Sequence, residues 1–338
     1  MGCVNELHDS AFYQSLNGTS QSGHCGAKVI INADDLGFSK GINSAIFRFA
    51  ESGAITSASL MAVGPDFEQA ASWAARQKHI SIGVHLCLTD GLKPLTEARG
   101  LIGKDGKFYR LGKLAMQAFC RSVPLDEIRL EWQAQIALIQ SKGIKPTHLD
   151  SHQHVHILPG IADVVRELAK EEHLAVRHTS GPLAFDLSSC KGCSEYWKTL
   201  CRPGVWKSLG VRLLGRSLKR KLDEGGVPTI DAYISPSSLC GRMRNEVTED
   251  SLLMITKLAS ATQGIVEWVV HPSEIDTYRD EPEWMSRMRH SESSLLKSNS
   301  HMNALQGNDI SSATYSAVRS QFDGMQIEIV DVATRGQK

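Results

Sequence analysis

No stretch of the 338-residue chain approaches the ~18 consecutive apolar residues of a membrane span, which excludes a helical integral membrane protein. Net charge is also missing. Thirty-seven basic and 37 acidic groups cancel, so electrostatics give no reason to assign nucleic acid as a partner. The first 27 residues lack the basic stretch and apolar core of a secretory signal; they are polar, rich in Ser, Asn, Gln and Gly, and read as a disordered extension. Met1-Gly2-Cys3 opens like an acylation signal, but Glu6 stands where that signal needs Ser or Thr. Cys190-Lys191-Gly192-Cys193 with Cys201 makes half a zinc ribbon, and no second Cys pair follows at a suitable spacing. Free thiols in a cytoplasmic protein are the expectation. No internal repeat is present.

What the chain does have is a dense histidine stretch, Thr147-His148-Leu149-Asp150-Ser151-His152-Gln153-His154-Val155-His156. If it is extended, the two-residue period puts Asp150, His152, His154 and His156 on one face. Imidazoles beside a carboxylate are what a divalent-metal site needs: nitrogen ligands and an acceptor that fixes their tautomer. Asn32-Ala33-Asp34-Asp35-Leu36-Gly37 follows the apolar run Val29-Ile30-Ile31 and reads as the C-terminal end of a buried strand. Adjacent residues on a strand point to opposite faces, so Asp34 and Asp35 are expected to have different roles. His85 interrupts an apolar run (Ile82-Gly83-Val84-His85-Leu86-Cys87-Leu88), and His271 ends another before Pro272. Each taken alone is the signature of a core histidine. Four such signals at four strand ends converge on one rim if the strands form a parallel barrel.

Between these motifs the chain alternates as a βα protein should. Ile42, Ala45, Ile46, Phe49 and Ala50 form an amphipathic helical stripe ended by Gly53. A strand is expected over Ile55–Val63, a helix over Phe67–Gln77 and a strand over Ile80–Leu88. Residues 89–110, rich in Gly, form a long loop beside the His85 strand, where loops at a barrel mouth build substrate grooves. Pro124 starts a helix with Leu125, Ile128, Trp132, Ile136 and Ile139 on one side. Another helix covers Leu158–Glu171, and short strands cover Leu174–Arg177 and, at the end, Gln326–Val330. Residues 198–222 form a basic amphipathic helix, best read as a surface helix whose apolar face caps the barrel. The Ser- and Asn-rich stretch 290–318 has no clear assignment. One domain is expected over 28–335, with a basic insertion around 190–225.

The Asn-Ala-Asp-Asp-Leu-Gly motif (32–37), Gly-Val-His-Leu (83–86), the histidine stretch (147–156) and His271-Pro272 together resemble the YdjC-like carbohydrate deacetylases, which include chitooligosaccharide deacetylases. The resemblance runs from about Lys28 to Arg177 and more loosely to His271. Leu36 stands where the family usually has Phe, and residues 178–262 and 273–338 match poorly. The resemblance implies an irregular (β/α) barrel of the α/β class, as in glycoside hydrolases and polysaccharide deacetylases. It also implies metal-dependent removal of an acetyl group from N-acetylated sugars. Carried over by position, Asp35, His85 and His152 match the metal ligands, Asp34 the catalytic base and His271 the candidate general acid. Asp150 could orient a ligand histidine, and His154 and His156 could line the site. One divalent ion is expected. Two nitrogens and a carboxylate suit Zn²⁺, while the family is often credited with Mg²⁺. The expected partner is an acetylated sugar, and a homo-oligomer stays open. Two other readings are a phosphoesterase with a second ion on Asp150, His154 and His156, and a silent metal- or sugar-binding protein.

Overall fold

The computed structural model describes residues 27–182, 184–185, 203–235, 239–240, 247–262, 264–274, 281, 283–298 and 300–323. The expected extension up to residue 26, the Cys190–Cys193 pair with Cys201, and the expected strand at Gln326–Val330 lie outside the described residues.

The first half is a regular βα succession. Strand β1 (Lys28–Leu36) leads to helix α1 (Lys40–Glu51), β2 (Ser57–Leu60), α2 (Phe67–Ala74) and β3 (Ser81–Leu86). Helices α3 (Leu111–Phe119) and α4 (Leu125–Ser141) precede β4 (His148–Ser151), α5 (Ile161–Glu172) and β5 (Ala175–Val176). Next come β6 (Ala184–Phe185), α6 (Pro203–Gly225), β7 (Ala232–Ile234), β8 (Leu239–Cys240), α7 (Glu249–Ser260) and β9 (Ile265–Val270). The last described elements are α8 (Glu283–Lys297), α9 (Ser300–Gln306), β10 (Ser311–Ser312) and α10 (Tyr315–Arg319).

Seven strands pair side by side in the order β5-β4-β3-β2-β1-β9-β7, all parallel, and β10 pairs with the first residues of β1. The sheet curls until its two edges meet. Val176 of β5 bridges Thr229, just ahead of β7, with Val176 N donating to the Pro228 carbonyl at 3.0 Å. A single bridge where a regular barrel has a full ladder makes the barrel irregular, as expected. Strands β6 and β8 form a separate parallel pair.

Alternation along the strands sorts the core into two shells. On β1, Val29, Ile31 and Ala33 pack outward with Val266, Trp268 and Val270 of β9, under helices that contribute Ile42, Ile46, Trp132 and Leu168. Ile30, Ile265 and Val269 point inward and join Tyr233, Tyr315 and Val318 in a small apolar plug. Above that plug the inward positions turn polar, which is unusual for a barrel core and marks where chemistry can sit. Gly83 makes room there, because a Cβ on it would lie 2.3 Å from the buried His148 ring.

Several expectations need correction. The histidine stretch is extended only to Ser151; residues His152–Ile157 turn helically, with Gln153 and His154 at φ 54° and 57°. The alternation that put Asp150, His152, His154 and His156 on one face therefore ends where β4 ends. Helix α3 was not legible because it buries only Leu114 and Ala118 and leaves Met116 and Phe119 exposed. The basic helix is α6, whose Leu218 and Leu222 are fully buried while Lys221 pairs with Asp163 at 2.6 Å. The stretch 290–318 resolves into the end of α8, then α9, β10 and α10.

Candidate active site and metal centre

Asp34 and Asp35 lie just before Leu36, the last residue of β1, and one backbone angle separates their fates. Asp35 has φ 67°, and the pairing of β1 with β2 slips between Ala33 and Leu36. This bulge cancels the strand alternation, so both carboxylates reach the barrel's C-terminal mouth, against the expectation of opposite faces. Gly37 completes the turn at φ 96°, where its backbone N–H donates to the Asn43 side chain at 2.8 Å and Met61 O lies 3.1 Å from where a Cβ would stand.

Asp34 turns inward to Arg177, the residue after β5. The guanidinium donates to both Asp34 oxygens at 2.8 Å and to Glu267 Oε1 at 2.7 Å, and it forms an ion pair with Asp150 Oδ2 at 2.8 Å. Arg177 is fully buried, and so are Asp150 and Glu267. Asn32 donates to Asp34 Oδ1 at 2.8 Å, Ser59 to Asp150 Oδ2 at 2.6 Å, and Tyr315 to Glu267 Oε2 at 2.7 Å. Burial pushes Glu267 up to about 7, while burial opposes and Arg177 with His85 enforces a strongly lowered pKa at Asp150.

Asp35 faces a different set. Its Oδ1 lies 3.0 Å from His152 Nδ1 and 3.3 Å from His85 Nε2, and its Oδ2 accepts from Arg289 of α8 at 2.5 Å. Burial resists ionisation of Asp35, but Arg289 and His152 outweigh it and hold the carboxyl well below its usual range. Asp150 Oδ1 sits 2.8 Å from His85 Nδ1, which leaves Nε2 aimed at Asp35; a carboxylate behind an imidazole is how ligand histidines are commonly oriented. Burial resists the charged form of His85, yet Asp150 and Asp34 raise it to about 10. His152 is raised as well, against burial, by Asp35. It stacks on Phe38 and places Nε2 3.3 Å from Asp90.

Asp35, His85 and His152, all buried, bring one donor atom each within 4.8 Å of one another. Two nitrogens and one oxygen converging on a small volume are a fit donor set for a divalent cation. Asp34, His85 and Asp150 meet the same distance criterion, but Arg177 already bonds both of those carboxylates. A guanidinium keeps its charge at every accessible pH, so a cation there would meet a fixed like charge.

His154 and His156 belong to neither group among the described residues. His154 Nε2 meets the Tyr233 hydroxyl at 3.1 Å, while His156 is fully buried, with Nε2 donating to the Arg177 carbonyl at 3.0 Å. Burial holds His156 neutral, with its pKa at about 3. Thus the second-ion set of Asp150, His154 and His156 is not assembled. His271 directly follows β9, with Nε2 3.8 Å from Asp34 Oδ2 and Nδ1 3.9 Å from Glu292. Burial pulls it down to about 4.

Sequence reasoning missed Arg177, Glu267, Asp90, Glu292 and Arg289. Arg177 and Asp90 carried a signal, since each is a charged residue just past a short apolar strand. Arg289 carried none, because its carboxylate partner lies 254 positions away. The mouth loop also has an anchor: buried Glu131 of α4 accepts from Leu95 N, Thr96 N and the Thr96 hydroxyl at 2.7 to 3.1 Å.

Among the described residues, an eight-stranded parallel sheet curls into an irregular (β/α) barrel, and a buried Asp-His-His cluster that could hold a metal ion sits at its mouth. The YdjC-like family model matches residues 28–307, and the chain belongs to that family. The match extends past His271, to which the resemblance of the motifs ran more loosely beyond Arg177. A carbohydrate deacetylase of Clostridium beijerinckii is 37% identical over 152 residues, covering 45% of this chain and 60% of the relative. One of Geobacillus stearothermophilus is 39% identical over 148 residues, 44% of this chain and 58% of the relative. The chain thus aligns with about three-fifths of the length of these curated relatives. A solved structure, named as a "putative cellobiose-phosphate cleavage protein" of Enterococcus faecalis V583, superposes with a TM-score of 0.66 over 86% of this chain and 98% of its own; at 23% identity it shows the shared fold.

Proposed function

We propose that this protein removes N-acetyl groups from acetylated saccharides by hydrolysis, with Asp35, His85 and His152 holding one divalent cation. The observation that carries the reading is the convergence of those three buried donors beside Asp34 and His271, in a chain whose curated relatives are named carbohydrate deacetylases. A bound divalent cation supplies Lewis acidity, polarising a carbonyl and making a water acidic near neutral pH.

The protein's own groups do the rest. Asp34 accepts a proton from the attacking water as the water oxygen bonds to the acetamide carbon. Arg177 and Asn32 keep that carboxylate in place. His271 then delivers a proton to the amine nitrogen as the C–N bond breaks, giving a free amine and acetate. With a pKa near 4, His271 is neutral in the resting protein, so it takes up its proton during the cycle, and Asp34 Oδ2 at 3.8 Å is the group beside it. Asp150 orients His85, and Glu131 pins the loop at the mouth.

The test is acetate release from a panel of N-acetylglucosamine oligomers, with and without a chelator. Release that is abolished by chelation and by Asp34→Asn supports the proposal. Tight sugar and metal binding without acetate under any divalent ion would favour a silent binding protein.

A further inference from the structure

Arg289 is 2% exposed and fixed on three sides. Nη2 donates to Asp35 Oδ2 at 2.5 Å, Nε to Glu281 Oε1 at 2.6 Å, and Nη1 to the His271 carbonyl at 3.4 Å. The two oxygens of Asp35 are therefore unlike. Oδ1 faces the two imidazoles, and Oδ2 is taken by a permanent cation.

A carboxylate can hold a metal through one oxygen or through both. Large cations such as Ca²⁺ gather six to eight oxygens and often use both, whereas Zn²⁺ is satisfied by about four donors of mixed N and O type. We propose that Arg289 is a positioning residue that withholds the second oxygen of Asp35, so the site offers three donor atoms and prefers small cations of low coordination number over Ca²⁺. This inference rests on the metal reading above. A merely structural buried ion pair would, on removal, weaken or strengthen every cation alike; a device that blocks one oxygen changes their ratio.

Zn²⁺ and Ca²⁺ affinities of the full chain, measured by calorimetry, test it. Arg289→Met should lower the Zn²⁺-to-Ca²⁺ affinity ratio by roughly 10–100-fold, the range usual for partners that hold a ligand in place. Arg289→Lys should recover most of the ratio, since an ammonium can still donate to Oδ2. Glu281→Gln, which loosens the guanidinium from its other side, should shift the ratio in the same direction by less. It carries the test if the near-ultraviolet circular dichroism of Arg289→Met shows a disturbed fold. A wild-type protein that binds neither cation overturns the metal reading and this inference together. A wild type that binds Zn²⁺, with an unchanged ratio in folded Arg289→Met or in Glu281→Gln, overturns the role of Arg289 and leaves the metal reading standing.

Discussion

Two layers of charge sit one residue apart in the barrel, and they differ in what balances them. In the inner layer, Asp34, Asp150 and Glu267 surround a single guanidinium, Arg177, which cannot lose its proton. In the outer layer, Asp35 faces His85 and His152, whose charge depends on a proton that a metal can displace. The inner layer is permanent and keeps a carboxylate in position. The outer layer is exchangeable. Arg289 lies over the outer layer and takes up only one oxygen of Asp35.

The largest effect is expected from breaking the inner layer. Arg177→Met leaves Asp34, Asp150 and Glu267 buried without their counter-charge, and removal of one partner from such a network costs about 3–5 kcal/mol. Urea unfolding measures it, and a loss under about 1 kcal/mol would mean the inner layer is not held by that guanidinium.

The next prediction tests the two adjacent carboxylates against each other. Asp34→Asn should retain the metal while turnover falls by about 10²–10⁴-fold, the usual worth of a general base. Asp35→Asn should lose the metal. Equal metal loss in both variants would erase the distinction between layers.

A smaller effect comes from histidines that the fold keeps neutral. Burial lowers His148 and His156 to about 3, against an ordinary value of 6.5. Their folded pKa values are depressed, so the unfolded chain takes up more protons, and their stabilisation is complete above pH 6.5 and lost as pH falls toward 3. His85, raised from 6.5 to about 10, works in the opposite sense: its contribution is full below pH 6.5 and is lost as pH rises from there to about 10. The metal-free protein should therefore weaken between pH 6.5 and 5 by on the order of 1–3 kcal/mol per pH unit. A flat series of urea midpoints across that window would contradict it.

The smallest expected effect is a difference in substrate dependence. His271→Ala should keep the metal and the fold but lose rate, and the loss should be less for an acetyl ester than for the amide, because an alkoxide leaves more readily than an amide anion. Equal impairment on both, with metal depletion, would make His271 a ligand or a packing residue.

Legibility followed sequence distance. Asp34 and Asp35 stood at the end of an apolar run, His85 interrupted another, and Asp150 stood in the histidine stretch, so local reading singled them out. The βα class followed from the alternation of strands and amphipathic helices over residues 28–176, while the irregular barrel was what the resemblance to the YdjC-like family implied. The later elements were harder to read, because α8 is Ser-rich and buries Arg289, Glu292 and Ser293 beside Met288, Leu295 and Leu296. Buried charge among the apolar positions breaks up the stripe that would betray a helix. The alternation rule failed at two places, the bulge at Asp35 and the turn at Gln153–His154, both with positive φ in non-glycine residues. Such backbone costs about 1–3 kcal/mol and persists only where surrounding contacts impose it.

Local order along the chain thus determined the class of fold, the strand ends and the residue types able to hold a metal. Those follow from periodicity and side-chain chemistry, which act over a few residues. Only the tertiary structure decided which carboxylate joins which cation. Asp34 meets Arg177 143 positions on, and Asp35 meets Arg289 254 positions on. A charge in water has no preferred partner at that range. It acquires one only when burial removes the solvent and leaves a single opposite charge within reach.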